Sequence, residues 1–280
     1  MKNKIMSVSY HITEYCNMGC PYCFAKFNCT DKQLPKSDAF LLIERLAEAG
    51  CEKISFAGGE PTLCEWLLDL IKCAKSNGLT TMIITNGSGL TGNFLKEAKT
   101  FLDWIGLSVD TLDISTLKKL KRQLSDELVD SSYYVERVRL INELGYNLKI
   151  NTVVTKLNAD ENLSEFINYA SPKRWKLLRV LPLDNANLCN QQDLLISSET
   201  FSSFCKRHTD EIKSGIDVIV EDNETMINSY VIIDPIGRFV DNSNYMLNFS
   251  DSILKVGVKN ALQGLTIDRE KMKARKAFYW

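Results

Sequence analysis

The sequence predicts an α/β fold, a partial (β/α)6 TIM-like barrel with a C-terminal extension, and three observations carry that reading. Six short apolar runs alternate with stretches of helical period, the pattern of parallel strands joined by crossover helices. Six repeats fall short of the eight that close a barrel. After about residue 185 the alternation changes. Residues 1–184 therefore read as the barrel core and 185–280 as an extension that covers it within a single structural unit.

Residues 7–12 form the first expected strand. Ser37 can cap a helix whose apolar positions Leu41, Leu42, Leu46 and Ala49 recur at helical spacing and which stops at Gly50. Strands over 53–56, 81–84 and 104–109 alternate with helices over 64–77 and 91–101, and a long helical region over 112–144 closes at Gly145. A strand over 148–154, a helix over 159–170 and a strand over 175–181 complete the core. In the extension, a helix near 198–213 precedes strands near Val218, over 229–233 and through Phe239, with a turn at Pro235-Ile236-Gly237 and a helical tail.

A chain of 280 residues that is 45% hydrophobic can bury a sizeable core. Its formal net charge of −1 supplies no global field to recruit nucleic acid or an anionic membrane. No apolar run approaches the ~20 residues that a membrane span needs, and Met1-Lys2-Asn3-Lys4-Ile5 is too short and polar for a leader. The expectation is a monomer in the reducing cytoplasm, with no nucleic-acid or membrane partner. Cys29, Cys51, Cys64, Cys73, Cys189 and Cys205 lack metal spacing and read as small buried hydrophobes.

The remaining cysteines are organised differently. Cys16-Asn17-Met18-Gly19-Cys20-Pro21-Tyr22-Cys23 places three thiols at C-x3-C-x2-C spacing on a loop directly after the first strand. Thiolates select iron–sulfur clusters, zinc or copper(I). Three ligands from one loop would leave one iron of a 4Fe–4S cluster without a protein ligand, and an open position means chemistry. Zinc completed by His11, or three separate buried thiols, also fits the spacing.

In parallel barrels the reactive groups lie at the carboxyl ends of the strands. The second strand ends in Gly58-Gly59-Glu60-Pro61, where paired glycines permit close backbone approach and Glu60 supplies an acceptor. The third ends in Thr85-Asn86-Gly87-Ser88 and the fourth in Ser108-Val109-Asp110, with Arg122 on the following helix. A guanidinium there suits a carboxylate ligand.

Alternate strand residues share a face. If Ser9 and His11 face inward, so do Lys53, Ser55 and Ala57, then Lys149, Asn151 and Val153, and Lys176 with Arg174 just before it. Three lysines and an arginine aimed at one cavity are costly unless paired or hydrated. No equal set of carboxylates is evident at matching positions, so a polyanion such as a triphosphate would answer them. A strand phase shifted by one residue would instead put these cations outside.

The cysteine loop, with Tyr22 before its last thiol, resembles the cluster loop of radical S-adenosylmethionine (radical SAM) enzymes, and Gly58-Gly59-Glu60 resembles their GGE motif. The stretches 7–11, 52–61, 149–153, 174–176, 228–234 and 252–258, with Trp280, resemble viperin in the same order over nearly the whole chain. On these segments the chain is identified as a member of the viperin-like S-adenosylmethionine-dependent nucleotide dehydratases.

The resemblance implies that Cys16, Cys20 and Cys23 hold a 4Fe–4S cluster whose open iron takes S-adenosylmethionine. Gly58, Gly59 and Glu60 would then meet the methionyl amine, and Ser108 and Arg122 its carboxylate, while the polar turn at Asn86, read from its own residues, could meet the ribose of this cofactor. It also implies that a 5′-deoxyadenosyl radical takes the 4′ hydrogen of a ribonucleoside triphosphate, and that loss of the 3′ hydroxyl as water, then one electron and a proton, gives the 3′-deoxy-3′,4′-didehydro nucleotide, an antiviral chain terminator. Lys53, Lys149, Arg174 and Lys176 would hold the phosphates, with Asn151 and Tyr230 at the sugar or base. Tyr230 could also give a proton to the leaving hydroxyl. A flavodoxin- or ferredoxin-type electron donor is implied, and the tail from Lys271 to Trp280 would order over nucleotide.

Ser9 and Ser55 stand where animal viperins carry Asn, which leaves the base open among CTP first and UTP or GTP. An amphipathic membrane helix like that of animal viperins is not expected. A peptide or deazapurine precursor is the alternative substrate class for radical chemistry. The peptide branch commonly needs a second cluster domain that Cys189 and Cys205 cannot supply. A non-enzymatic metal-binding module is the remaining alternative.

Overall fold

A computed structural model describes residues 7–29, 33–183 and 192–274. Its centre is one 10-stranded sheet in the order β10-β9-β8-β1-β2-β3-β4-β5-β6-β7. Strands β1 (Ser7–His11), β2 (Lys53–Ala57), β3 (Thr80–Thr85), β4 (Trp104–Ser108), β5 (Asn147–Val154) and β6 (Arg174–Arg179) are parallel neighbours, as the alternation predicts. The extension adds to both edges of this core. Strand β7 (Asp217–Glu221) pairs parallel with β6, while β8 (Ile232–Ile233) pairs parallel with β1 and starts an antiparallel run with β9 (Arg238–Asp241) and β10 (Asn248–Ser252). β7 and β10 are the two ends of the sheet, so the barrel stays open.

The crossover helices α1 (Lys36–Glu48), α2 (Leu67–Ser76), α3 (Gly92–Ala98), α4 (Ile114–Lys119), α5 (Ser131–Glu143) and α6 (Ser164–Ala170) occur in the expected order, and α7 (Ser198–Thr209) belongs to the extension. The core lies between them and the outer sheet face, around fully buried Tyr10, Phe56, Trp175, Leu42, Ile43 and Leu46. In α1 the buried stripe is Ala39, Leu42, Ile43 and Leu46, while Leu41 is 40% exposed, so the expected phase was partly wrong. Ser37 does not cap that helix. Pro35 occupies the cap, and its carbonyl accepts from Asp38 and Ala39.

The expected helix over 112–144 is two helices. Asp113 caps α4 by accepting from the Thr116 amide, and Asp130 caps α5 by accepting from Tyr133. Between them Lys121 adopts a left-handed φ of 51°, which no continuing helix tolerates. This break brings Lys121 to the cysteine loop, where its carbonyl accepts from Gly19.

Gly58 and Gly59 allow a close approach of chain to chain. Their amide region lies against the backbone that follows β1: Gly59 donates to Thr13 and Glu60 to Tyr15. A Cβ on Gly58 would meet the Thr13 carbonyl oxygen at 2.6 Å, and one on Gly59 the Tyr15 oxygen at 2.2 Å. Among the described residues the cysteines are free, and no helix is long and apolar enough to cross a membrane. Cys189 and Trp280 lie outside the described residues.

Gly59→Ala should cost about 3 kcal/mol by overpacking backbone on backbone, lowering the melting temperature by roughly 6–12 °C. An unchanged melting temperature would contradict the close approach.

Both histidines are buried. His11 is pushed down to about 4 by burial, and burial also lowers His208, whose Nε2 accepts from the Leu163 amide. Unfolded rings take a proton near pH ~6.5, so below that pH the unfolded chain binds more protons and stability falls. The drop in melting temperature between about pH 7.5 and about pH 5.5 should shrink in His208→Gln, which keeps an acceptor for Leu163 without titrating. An identical drop in both proteins would overturn the assignment.

Candidate active site

The cysteine loop leaves β1 at the carboxyl end of the sheet. Cys16, Cys20 and Cys23 are all half-buried and close enough to raise one another's pKa. Cys16 Sγ accepts from the Met18 amide at 3.4 Å and Cys23 from the Ala25 backbone. Burial, then the neighbouring Cys20, pushes the Cys23 thiol up to about 12, so a thiolate there calls for a cationic partner. His11 is turned away from this task. It packs edge-on against Phe24 and Phe27 with ring centroids at 5.4 and 5.1 Å, and its ring hydrogen-bonds the Gly58 backbone. Among the described residues no group of three or more His, Cys, Asp or Glu is arranged to hold a single metal ion. Three thiols set apart on one loop, with amides directed at sulfur, suit a larger cluster better than mononuclear zinc.

Glu60 ties the strand-end loops together. It is fully buried, and burial raises its pKa against four protein donors. Oε1 accepts from the Thr62 amide at 3.1 Å, Thr62 Oγ1 at 2.6 Å and Thr85 Oγ1 at 2.7 Å, and Oε2 accepts from the Asn86 amide at 2.7 Å. Asn86 in turn donates from Nδ2 to Asn17 Oδ1 at 2.9 Å, inside the cysteine loop. Asn17 closes the circuit by donating to Ser88 Oγ. The β1, β2 and β3 loops thus form one hydrogen-bonded rim.

Arg122 is 4% exposed and sits beside the same loop. Its Nη1 pairs with Asp110 Oδ2 at 2.9 Å and lies 3.8 Å from Cys20 Sγ, and its Nη2 donates to the Ser108 carbonyl at 2.8 Å. Tyr22 donates a short hydrogen bond to Asp110 Oδ2, and Tyr134 OH lies 3.5 Å from Nη2. Nε alone lacks a protein partner. Asp110 is also held by the Val153 amide at Oδ1. The sequence did not single out Asp110 and Tyr134 as partners of Arg122. The polar end of β4 pointed to Asp110, whereas nothing local singled out Tyr134.

Toward the amino ends of the strands, Ser7, Ser9, Ser55, Met82, Lys149, Arg174, Lys176 and Tyr230 line one cavity of about 70 Å³, with Val231 and Met272 from the extension. The register explains the grouping. Ser9 pairs with Ser55, Lys149 with Arg174, and Asn151 with Lys176, so all point to the inner face. Lys53 pairs with Ser7, and its pKa is lowered by burial and by neighbouring Arg174. A separate 640 Å³ groove between α7 and Val220 carries none of these residues.

One expectation fails here. Carboxylates do face these cations, from β7. Asp217 lies 3.3 Å from Arg174 and Glu221 lies 2.6 Å from Lys176. The two acids alternate with outward Val218 and Val220 on a strand whose place beside β6 comes only from the folded sheet.

Comparison with known proteins agrees with this geometry. Residues 10–170 match the model of the radical SAM superfamily. An S-adenosylmethionine-dependent nucleotide dehydratase of Flammeovirga pacifica is 44% identical over 99% of this chain and 96% of its own length. One of Lacinutrix mariniflava is 43% identical over 99% of this chain, which spans 59% of that protein. Among solved structures, native anSMEcpe with bound AdoMet superposes with a TM-score of 0.71 at 16% identity, covering 98% of this chain and 84% of that one. Streptococcus suis SuiB bound to S-adenosylmethionine gives 0.66 at 16% identity, over 84% and 60%. At such identity these structures speak for the fold. The cysteine loop, the rim behind it and full-length similarity at 44% together place the chain in the radical SAM superfamily, within its viperin-like S-adenosylmethionine-dependent nucleotide dehydratases.

Proposed function

We propose that this protein dehydrates a ribonucleoside triphosphate, CTP first, to its 3′-deoxy-3′,4′-didehydro analogue. The observation that carries this reading is the cavity bearing Lys149, Arg174 and Lys176 on the inner face of the sheet whose carboxyl end bears the cysteine loop. Cys16, Cys20 and Cys23 would hold the 4Fe–4S cluster, with S-adenosylmethionine against Gly58, Gly59, Glu60, Asn86, Ser108 and Arg122. When bound, that pair supplies the 5′-deoxyadenosyl radical which removes the 4′ hydrogen.

The chain's residues do the rest. Lys53, Lys149, Arg174 and Lys176 neutralise the phosphates. Ser9, Ser55 and Asn151 orient the sugar or base, and Tyr230 hands a proton to the departing 3′ hydroxyl. A cavity of 70 Å³ is smaller than the several hundred Å³ of ordinary ligand sites, so nucleotide binding opens it. Residues 185–280 cover the nucleotide, consistent with Tyr230, Val231 and Met272 in the lining. A product without a 3′ hydroxyl cannot be extended by a polymerase, which gives the reaction an antiviral or antiphage use. The protein works as a cytoplasmic monomer with a flavodoxin- or ferredoxin-type electron donor.

The test is anaerobic reconstitution with reductant, S-adenosylmethionine and each of CTP, UTP, GTP and ATP. The expected outcome is 5′-deoxyadenosine together with a product lighter by one water, abolished by Cys16→Ser, Cys20→Ser or Cys23→Ser. If none of the four stimulates cleavage, the substrate lies elsewhere.

Asp110→Asn should leave buried Arg122 without a counter-charge, costing about 3–5 kcal/mol in denaturant unfolding and weakening S-adenosylmethionine binding. Wild-type stability and affinity in that variant would remove Asp110 from the site.

A further inference from the structure

Glu221 ends β7 and is fully buried. Its Oε1 lies 2.6 Å from Lys176 Nζ, and its Oε2 accepts a short hydrogen bond from the phenol of Tyr230. Lys176 Nζ also donates to Tyr230 OH at 3.1 Å, so the three side chains close a ring. Lys176 and Tyr230 both line the cavity, with Arg174, held by Asp217, one inward position away.

Glu221 itself does not line the cavity, and a carboxylate buried directly behind the cations of a site that takes a polyanion opposes the ligand. Burying Lys176 without a counter-charge would, however, cost several kcal/mol of desolvation. We propose that Glu221 is the cavity's exchangeable internal anion. It holds Lys176 while no nucleotide is bound, yields that ammonium to a phosphate of the incoming triphosphate, and keeps the phenol of Tyr230 in place until that phenol gives its proton to the departing hydroxyl. The inference rests on the triphosphate reading above and makes Glu221 a positioning residue that also sets how much negative charge a ligand must bring. Exchange replaces one ion pair by another, so Lys176 is never left unpaired. A ligand with fewer phosphate charges competes less well for the ammonium, which favours triphosphate over diphosphate.

The experiment uses the reconstituted enzyme with S-adenosylmethionine bound, and titrates CTP, UTP, GTP, ATP and CDP against wild type, Glu221→Gln, Lys176→Met and the double variant. Glutamine keeps the shape and can still accept from Tyr230, without the charge. Glu221→Gln should melt below wild type when free of nucleotide, yet bind the preferred triphosphate about tenfold more tightly. It should also discriminate less between CTP and CDP and turn over more slowly, because Tyr230 is less firmly held. A merely structural residue would lower stability and affinity together. Should Glu221→Gln fail to fold, the remaining pair decides. The double variant should bind triphosphate more tightly than Lys176→Met alone, where the carboxylate faces phosphate unanswered. Wild type binding no triphosphate would overturn the functional reading and this inference with it. Wild type binding normally, with Glu221→Gln no tighter and the double variant no tighter than Lys176→Met, would overturn the exchange alone.

Discussion

A buried cation must be answered by an anion, and on the inner face of this sheet that requirement organises the fold. Arg122, Arg174 and Lys176 are all under 10% exposed, and each has a carboxylate within 3.3 Å: Asp110, Asp217 and Glu221. Without those partners the desolvation penalty, several kcal/mol per ion, would be a large fraction of a domain's net stability. Two of the three anions come from β7, which belongs to the extension rather than to the core. The extension therefore completes the electrostatics of β6.

The carboxyl end of the sheet obeys a second constraint, the close approach of backbones. Gly58 and Gly59 let the β2 loop hydrogen-bond to Thr13 and Tyr15, immediately before Cys16. Glu60 then carries the connection to Thr85 and Asn86, and Asn86 returns it to Asn17. The break at Lys121 serves the same end, because it anchors Gly19 and presents Arg122 beside Cys20. A loop bearing three thiols is thereby fixed from three sides by main-chain and amide contacts.

Much of this was legible in the sequence. The alternation of strands and helices gave the parallel order from β1 to β6, and the period of two put Ser9, Ser55, Lys149 and Lys176 on one face. The cysteine spacing marked its own loop. What stayed hidden was decided at long range or by single residues. Asp217 and Glu221 lie about 40 residues from Arg174 and Lys176, so their pairing exists only once β7 docks on β6. The helix over 112–144 was split by one left-handed lysine and a second cap at Asp130, neither of which interrupts an apolar periodicity. The four protein donors that Glu60 accepts from were hidden as well, because local sequence cannot show what a neighbouring loop will offer.

The two ends of the inner face use one device with different cations. At one end Asp110 holds Arg122 and accepts from Tyr22, and at the other Glu221 holds Lys176 and accepts from Tyr230. The choice of cation fits the two tasks. A guanidinium keeps its charge and offers five donors, so Arg122 can hold Asp110 and the Ser108 carbonyl at once. An ammonium is a point charge on a flexible stem, with donors that can be redirected one at a time. Under the proposed function a cofactor returns to the same place beside the cysteines in every turnover, where the fixed cation serves. Beside Lys176 the same proposal has a polyanion enter and a product leave, where the movable one does.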